Sequence, residues 1–128
     1  MAMYAQTTGT QQTNSATFVP MTGLSISIPQ GVGASALIIL NVPNPYATGS
    51  NFPGGVFGVS VGGTISTVQA VFTYNEQQPA GTGRVPTTLV LSVPLSQTAA
   101  QTVLAVWSGV RGSTVIIDTP ATLSAILV

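Results

Sequence analysis

The 128-residue chain has no cysteine, no histidine and no lysine. Without cysteine there is no disulfide framework and no thiol chemistry, and redox gives no information on compartment. Without histidine, Ser-His-Asp and Cys-His catalytic arrangements are excluded, as is imidazole ligation of a metal. Charge is nearly absent too. Glu76, Arg84, Arg111 and Asp118 are the only fully charged side chains, 3 % of the chain against roughly a quarter in an ordinary soluble domain.

These absences exclude several partners and activities. The net charge is zero, and two arginines far apart in sequence cannot make the several phosphate contacts that a nucleic acid requires. An anionic membrane surface is excluded for the same reason. Mean hydropathy is high at +0.51, yet no run approaches the ~18 apolar residues of a membrane helix, so no membrane insertion is expected. The start, MAMYAQTTGTQQTNS, has neither a basic beginning nor an apolar run and does not read as a signal peptide. Glu76 and Asp118 stand 42 positions apart, and a glycosidase pair normally has further polar residues tuning both acids. They are also too few for a calcium site of six to eight oxygens. The glycine-rich stretches GVG, GG and GTGR carry no following Lys-Ser/Thr and match no phosphate loop. The expectation is a binding protein and not an enzyme, with no cofactor and no metal.

What the chain does contain is short β-forming runs punctuated by Gly, Pro and Asn. Leu24, Ile26 and Ile28 alternate with Ser25 and Ser27, the period of a strand with one wet face. Leu37–Val42 is a continuous apolar run stopped by Pro43, followed by a long Pro- and Gly-rich loop from Asn41 to Gly55. Val56–Val61 and Ile65–Tyr74 flank Gly62-Gly63, a hairpin signal. Thr87–Val93, Thr102–Val110, Ser113–Ile117 and Thr122–Val128 complete about eight to ten strands, with one helical turn at most over Gln97–Gln101. Such spacing predicts an all-β sandwich or jelly roll. One domain is expected over residues 16–128, after a flexible or edge-forming arm over residues 1–15.

The later strands are apolar on both faces. Val103, Ala105 and Trp107 oppose Leu104 and Val106; Leu123, Ala125 and Leu127 oppose Ile126 and Val128. A two-layer sandwich buries one face of each sheet, so the second dry face calls for cover by sister subunits.

Three segments carry a specific likeness: LNVPNPYATGSNFPG (Leu40 to Gly54), FTYNEQQPAGTGRVPTTLV (Phe72 to Val90) and VRGSTVIIDTPATLSAI (Val110 to Ile126). They closely resemble the TNF-like, fucose-binding amino-terminal domain of the Burkholderia superlectins, from about Phe18 to the C-terminus. The resemblance implies a TNF-like jelly-roll protomer in a compact homotrimer, with metal-independent fucose sites in the clefts between neighbours. Its partners would be fucosylated glycans, such as those on host cells. The implied location is extracellular or at the cell surface without a classical signal peptide, with cytoplasmic accumulation as the alternative.

Carried over residue by residue, Tyr46, Thr73, Tyr74, Thr82 and Arg84 resemble one protomer's share of the sugar site. Arg111, Asp118 and Thr119 resemble the neighbour's share, with Thr119 where the family has serine. Two positions depart from the family and bear on affinity and oligosaccharide preference. Val56 stands where the fucose-binding relative has a ligand-touching tyrosine, and Gly81 replaces a serine beside Thr82.

The residues themselves leave alternatives open. A guanidinium offers a planar fork of donors to neighbouring hydroxyls, and an aromatic ring suits the apolar face of fucose. Arg84 and Arg111 either do this work or pair with Glu76 and Asp118. Tyr46 is either a contact or a packing cap in its Pro-rich loop, and Thr73-Tyr74 either a contact or β filling. Trp107, mid-strand in an apolar run, reads as core or subunit interface, and Glu76 as a solvated loop residue. If Arg111-Gly112 turns a hairpin, Asp118 lies seven residues along the next strand, roughly 20 Å away. The rival function is a structural trimeric jelly roll, such as a fibre knob or capsid-like protein; cytokine-like receptor engagement rests on fold analogy alone.

Overall fold

The β-rich runs pair into antiparallel sheets in the computed structural model, which describes residues 1–128 and contains twelve strands and no helix. No helix is long and apolar enough to cross a membrane. The strands are β1 (Ala2–Gln6), β2 (Gln11–Thr13), β3 (Val19–Ile28), β4 (Ser35–Val42), β5 (Tyr46–Thr48), β6 (Gly54–Val61), β7 (Thr64–Ile65), β8 (Ala70–Thr73), β9 (Thr87–Pro94), β10 (Gln101–Val110), β11 (Thr114–Ile117) and β12 (Thr122–Leu127). One sheet has the order β1-β12-β4-β9. The second runs β3-β10-β6, with β7 and β8 both pairing β6, and a short third sheet has the order β2-β11-β5. From β3 to β4, β8 to β9 and β9 to β10 the chain crosses from one large sheet to the other. That winding makes an all-β jelly roll.

Period-2 patterning decides which faces meet. Ala36, Ile38, Leu40 and Val42 of β4, with Leu89 and Leu91 of β9 and Leu123 and Ala125 of β12, form one inner face. Phe57, Val59, Val103, Ala105 and Trp107 line the opposing one. On β3 the inward parity changes between Met21 and Leu24. A bulge absorbs the shift, with register skipping between Leu104 and Val106 on the partner β10 and Gly23 at φ +92°. The Gln11 amide pins the bulge, accepting from Thr22 N–H at 3.0 Å and donating to Thr22 C=O at 2.6 Å.

The first fifteen residues hold edge strands. β1 pairs β12 and β2 pairs β11, so this segment runs antiparallel beside the last two strands. Thr7 links the two pairings: its N–H donates to Ala121 C=O at 3.0 Å and its hydroxyl accepts from Ala121 N–H at 2.9 Å.

Three local expectations change. The run Ile65–Tyr74 splits into β7 and β8, because Ser66 turns the chain by accepting the Val68 N–H at 3.1 Å. The Pro-rich loop carries β5 in its middle, since Tyr46–Thr48 is free of proline and pairs β11. The second face of β10 also finds part of its cover inside the chain. Val106 is buried, and it and the half-buried Phe18 ring both lie within 3.5 Å of the position a Gly58 Cβ would take. What remains open is the outer face of the first sheet. Tyr4 (61 % exposed), Leu37 (37 %), Val90 (51 %) and Ile126 (42 %) lie there, across four paired strands.

Candidate functional site

Pro43 and Pro45 end β4 and start β5, and the register of β5 on β11 places Tyr46 opposite Ile116. Asp118 is two residues beyond Ile116 and follows the end of β11, so pleat alternation brings its carboxylate to the side of the Tyr46 ring. Arg84 arrives from the loop between β8 and β9, which is tied down at two points. Val85 N–H donates to Pro45 C=O at 2.9 Å, and Tyr74 O–H donates to Gly83 C=O at 2.6 Å while accepting from Ala47 N–H at 3.3 Å.

The result is a compact polar cluster. The Arg84 guanidinium lies 4.0 Å from the Tyr46 ring centroid. It grips Asp118 in a fork, Nη1 to Oδ1 at 3.1 Å and Nη2 to Oδ2 at 2.8 Å, and Nη1 also donates to Asn44 C=O at 3.3 Å. Asn44 Nδ2 donates to Thr119 Oγ1 at 3.2 Å, and Thr119 O–H donates to Asp118 at 3.4 Å. With the side chains of Arg84 and Asp118 39 % and 35 % exposed, such a pair contributes only about 0.2–1 kcal/mol to stability. Its Nε–H and part of the carboxylate remain available to a ligand.

Arg111 belongs to a second cluster. Arg111-Gly112 is indeed the two-residue turn between β10 and β11, with φ +50° and +74° and Ser113 N–H donating to Val110 C=O. The guanidinium donates through Nε to Asn51 C=O at 2.9 Å and through Nη2 to Phe52 C=O. Its Cζ lies 6.0 Å from the Phe52 ring centroid. Phe52, 40 % exposed, is the other non-glycine residue with positive φ, +47°. A left-handed conformation costs an L-residue roughly 1–2 kcal/mol, and the two that carry it here touch each other. Thr73 pairs Gly54 beside this cluster, and Tyr74 N–H donates to Pro53 C=O at 2.9 Å. Tyr74 therefore bonds the backbone of both clusters, and its ring meets Phe72 edge-on at 5.9 Å.

The eight residues singled out from sequence thus fall on one flank as two groups. Tyr46, Arg84, Asp118 and Thr119 meet directly, with Tyr74 fixing their loop; Thr82 is half-buried in that loop. Arg111 and Thr73 stand in the second. Asp118 and Thr119, read from sequence as the neighbour's share, join Arg84 within one chain. The pairing of Arg84 with Asp118 is real, whereas Arg111 bonds carbonyls, and Glu76 is exposed. Val56 sits half-buried on β6 opposite Val71, and Gly81 is exposed with open space beside it. Trp107 is 2 % exposed in the core, stacked on Phe57. Phe52 was missed: in sequence it is one aromatic in a Pro/Gly loop, and only its backbone conformation and its contact with Arg111 set it apart.

Residues 8–126 match the family model described as Bc2l-C, N-terminal domain. The chain belongs to that family. Bc2l-C itself is a Burkholderia lectin. The match begins before Phe18 and takes in β2. Among curated proteins nothing matches. Among solved structures, dimeric latent PorU from Porphyromonas gingivalis is similar at 12 % identity and TM-score 0.57, over 97 % of this chain and 12 % of PorU. A CBM36-1 domain of a multidomain xylanase, from the hindgut metagenome of Trinervitermes trinervoides, is similar at 14 % identity and TM-score 0.47, over 100 % of this chain and 98 % of that domain. Eiger TNF from S. frugiperda is similar at 8 % identity and TM-score 0.37, over 99 % and 92 %. The likeness to PorU, at 12 % identity, is one of fold.

Proposed function

We propose that this chain is a lectin: it binds fucose or fucosylated glycans, without metal and without catalysis, in clefts completed by a neighbouring protomer. The observation that carries the reading is the Arg84–Asp118 fork beside the Tyr46 ring. A neutral sugar offers vicinal hydroxyls that donate to a carboxylate and accept from a guanidinium, and an apolar face that suits an aromatic neighbour. Family membership points the same way. The glycans would be met outside the producing cell.

Titration of a simple fucoside by calorimetry tests the reading. Saturable binding is expected, with the same isotherm in the presence of a chelator. The chain has no His or Cys, and the Asp118 carboxylate is already engaged by Arg84. A purely structural jelly roll would give no saturable signal with any fucoside, and loss of binding in the chelator would overturn metal independence.

The shared cleft requires a second protomer, and the resemblance makes the assembly a homotrimer. The open apolar face at Tyr4, Leu37, Val90 and Ile126 supports assembly, because contiguous exposed apolar area on a nearly uncharged chain favours association. Light scattering at micromolar concentration should give about three times 12.9 kDa. A soluble monomer of 12.9 kDa would sink both the trimer and the shared site.

A further inference from the structure

The paired strands β6 and β10 carry the Arg111 cluster at one end, where Gly54 meets Val110. Their other end, where Val61 meets Val103, lies roughly 24 Å away at strand rise. A cleft of about 320 Å³ opens there, lined by Val61, Thr64, Ser66, Val93, Pro94 and Gln101. That volume is at the lower end of the range of small-molecule sites. We propose that it is a second ligand site, for a neutral aliphatic molecule bearing one carbonyl acceptor, of which a short-chain amide is the simplest. The inference does not rest on the lectin reading.

Three observations choose the ligand class. No lining residue is ionisable, so no ionic group is recognised. No aromatic ring lines the cleft, and Val61, Val93 and Pro94 supply aliphatic walls instead. This separates it from the flank with Tyr46, Phe52 and Tyr74 and disfavours stacking of a sugar face. The Gln101 amide is oriented: its Oε1 accepts from Ser96 N–H at 2.8 Å, which leaves Nε2 as a free donor. Ser66 Oγ accepts from Val68 N–H at 3.1 Å, so its hydroxyl hydrogen also remains to be given. The cleft therefore presents two donors above an aliphatic wall, the complement of a carbonyl on an alkyl chain.

Titration of 15N-labelled protein with hexanamide, followed by NMR, tests the site. Saturable shifts are expected at Thr64, Ser66 and Gln101, including the Gln101 side-chain amide, with none at Tyr46, Arg84 or Arg111. Methyl fucoside should leave the cleft signals unmoved. Gln101→Glu keeps an acceptor for Ser96 N–H and loses the donor, so affinity should fall about three- to tenfold, with the spectrum otherwise native. Absence of saturable shifts would overturn the proposal. So would shifts spread over the Tyr4–Val90 face, unchanged affinity in a folded Gln101→Glu protein, or movement of the cleft signals by fucoside.

Discussion

Replacing Arg84 or Arg111 with alanine is expected to weaken fucoside binding at least tenfold, measured by calorimetry on folded, assembled protein. Hydrogen bonds from a charged donor contribute about 1.5–3 kcal/mol each, and 1.4 kcal/mol is a factor of ten. The two losses differ in origin. Arg84→Ala frees the Asp118 carboxylate and removes the group lying on Tyr46. Arg111→Ala leaves the Asn51 and Phe52 carbonyls without their donors. Lysine should rescue neither well, because a point charge cannot reproduce the fork. A cleft shared between chains makes a further demand. Mixed assemblies of Arg84→Ala and Arg111→Ala chains should regain binding wherever an intact Arg84 cluster faces an intact Arg111 cluster. Wild-type affinity in each single variant would make both arginines structural. If each variant fails to bind and co-refolded mixtures that still assemble fail too, both residues serve one protomer's pocket.

Trp107→Ala should cost about 3–5 kcal/mol of folding stability, read from the urea midpoint. The side chain is 2 % exposed and stacks on Phe57 with ring centroids 6.3 Å apart. Against a typical total of about 5–15 kcal/mol, that loss brings the domain close to unfolding at ambient temperature. Trp107→Phe keeps most of the packing and should bind fucoside within about twofold of wild type. A Trp107→Ala protein with an unchanged midpoint but no sugar affinity would make the indole a sugar platform instead.

The architecture was legible in the sequence wherever burial alternates with a fixed period. The patterns at Leu24–Ile28 and Leu37–Val42 and the Gly62-Gly63 turn all lie where the structure has strands and a hairpin. Long-range pairing was less accessible. Tyr46–Thr48 is too short to signal a strand and becomes one because β11 pairs with it. The start of the chain shows no alternation of apolar and polar residues, and its strands are ordered by the edges of β12 and β11, with Met3 and Ala5 packed on the core. The site followed the same divide. Residue types suggested arginines, carboxylates and tyrosines, but the meeting of Arg84 with Asp118 depends on a loop held by Tyr74 and Pro45 from elsewhere in the chain.

On the proposed reading, the turn that carries Arg111 beside Phe52 sets stability and recognition against each other. Asparagine or glycine would adopt the turn at position 111 with less strain. Relief of that strain is worth about 1 kcal/mol, set against the loss of the guanidinium's bonds to Asn51 C=O and Phe52 C=O. Such a substitution would also discard a guanidinium held by two carbonyls with donors to spare. Backbone strain held at a charged residue is a pattern of functional sites, and the proposed sugar contact would account for it here.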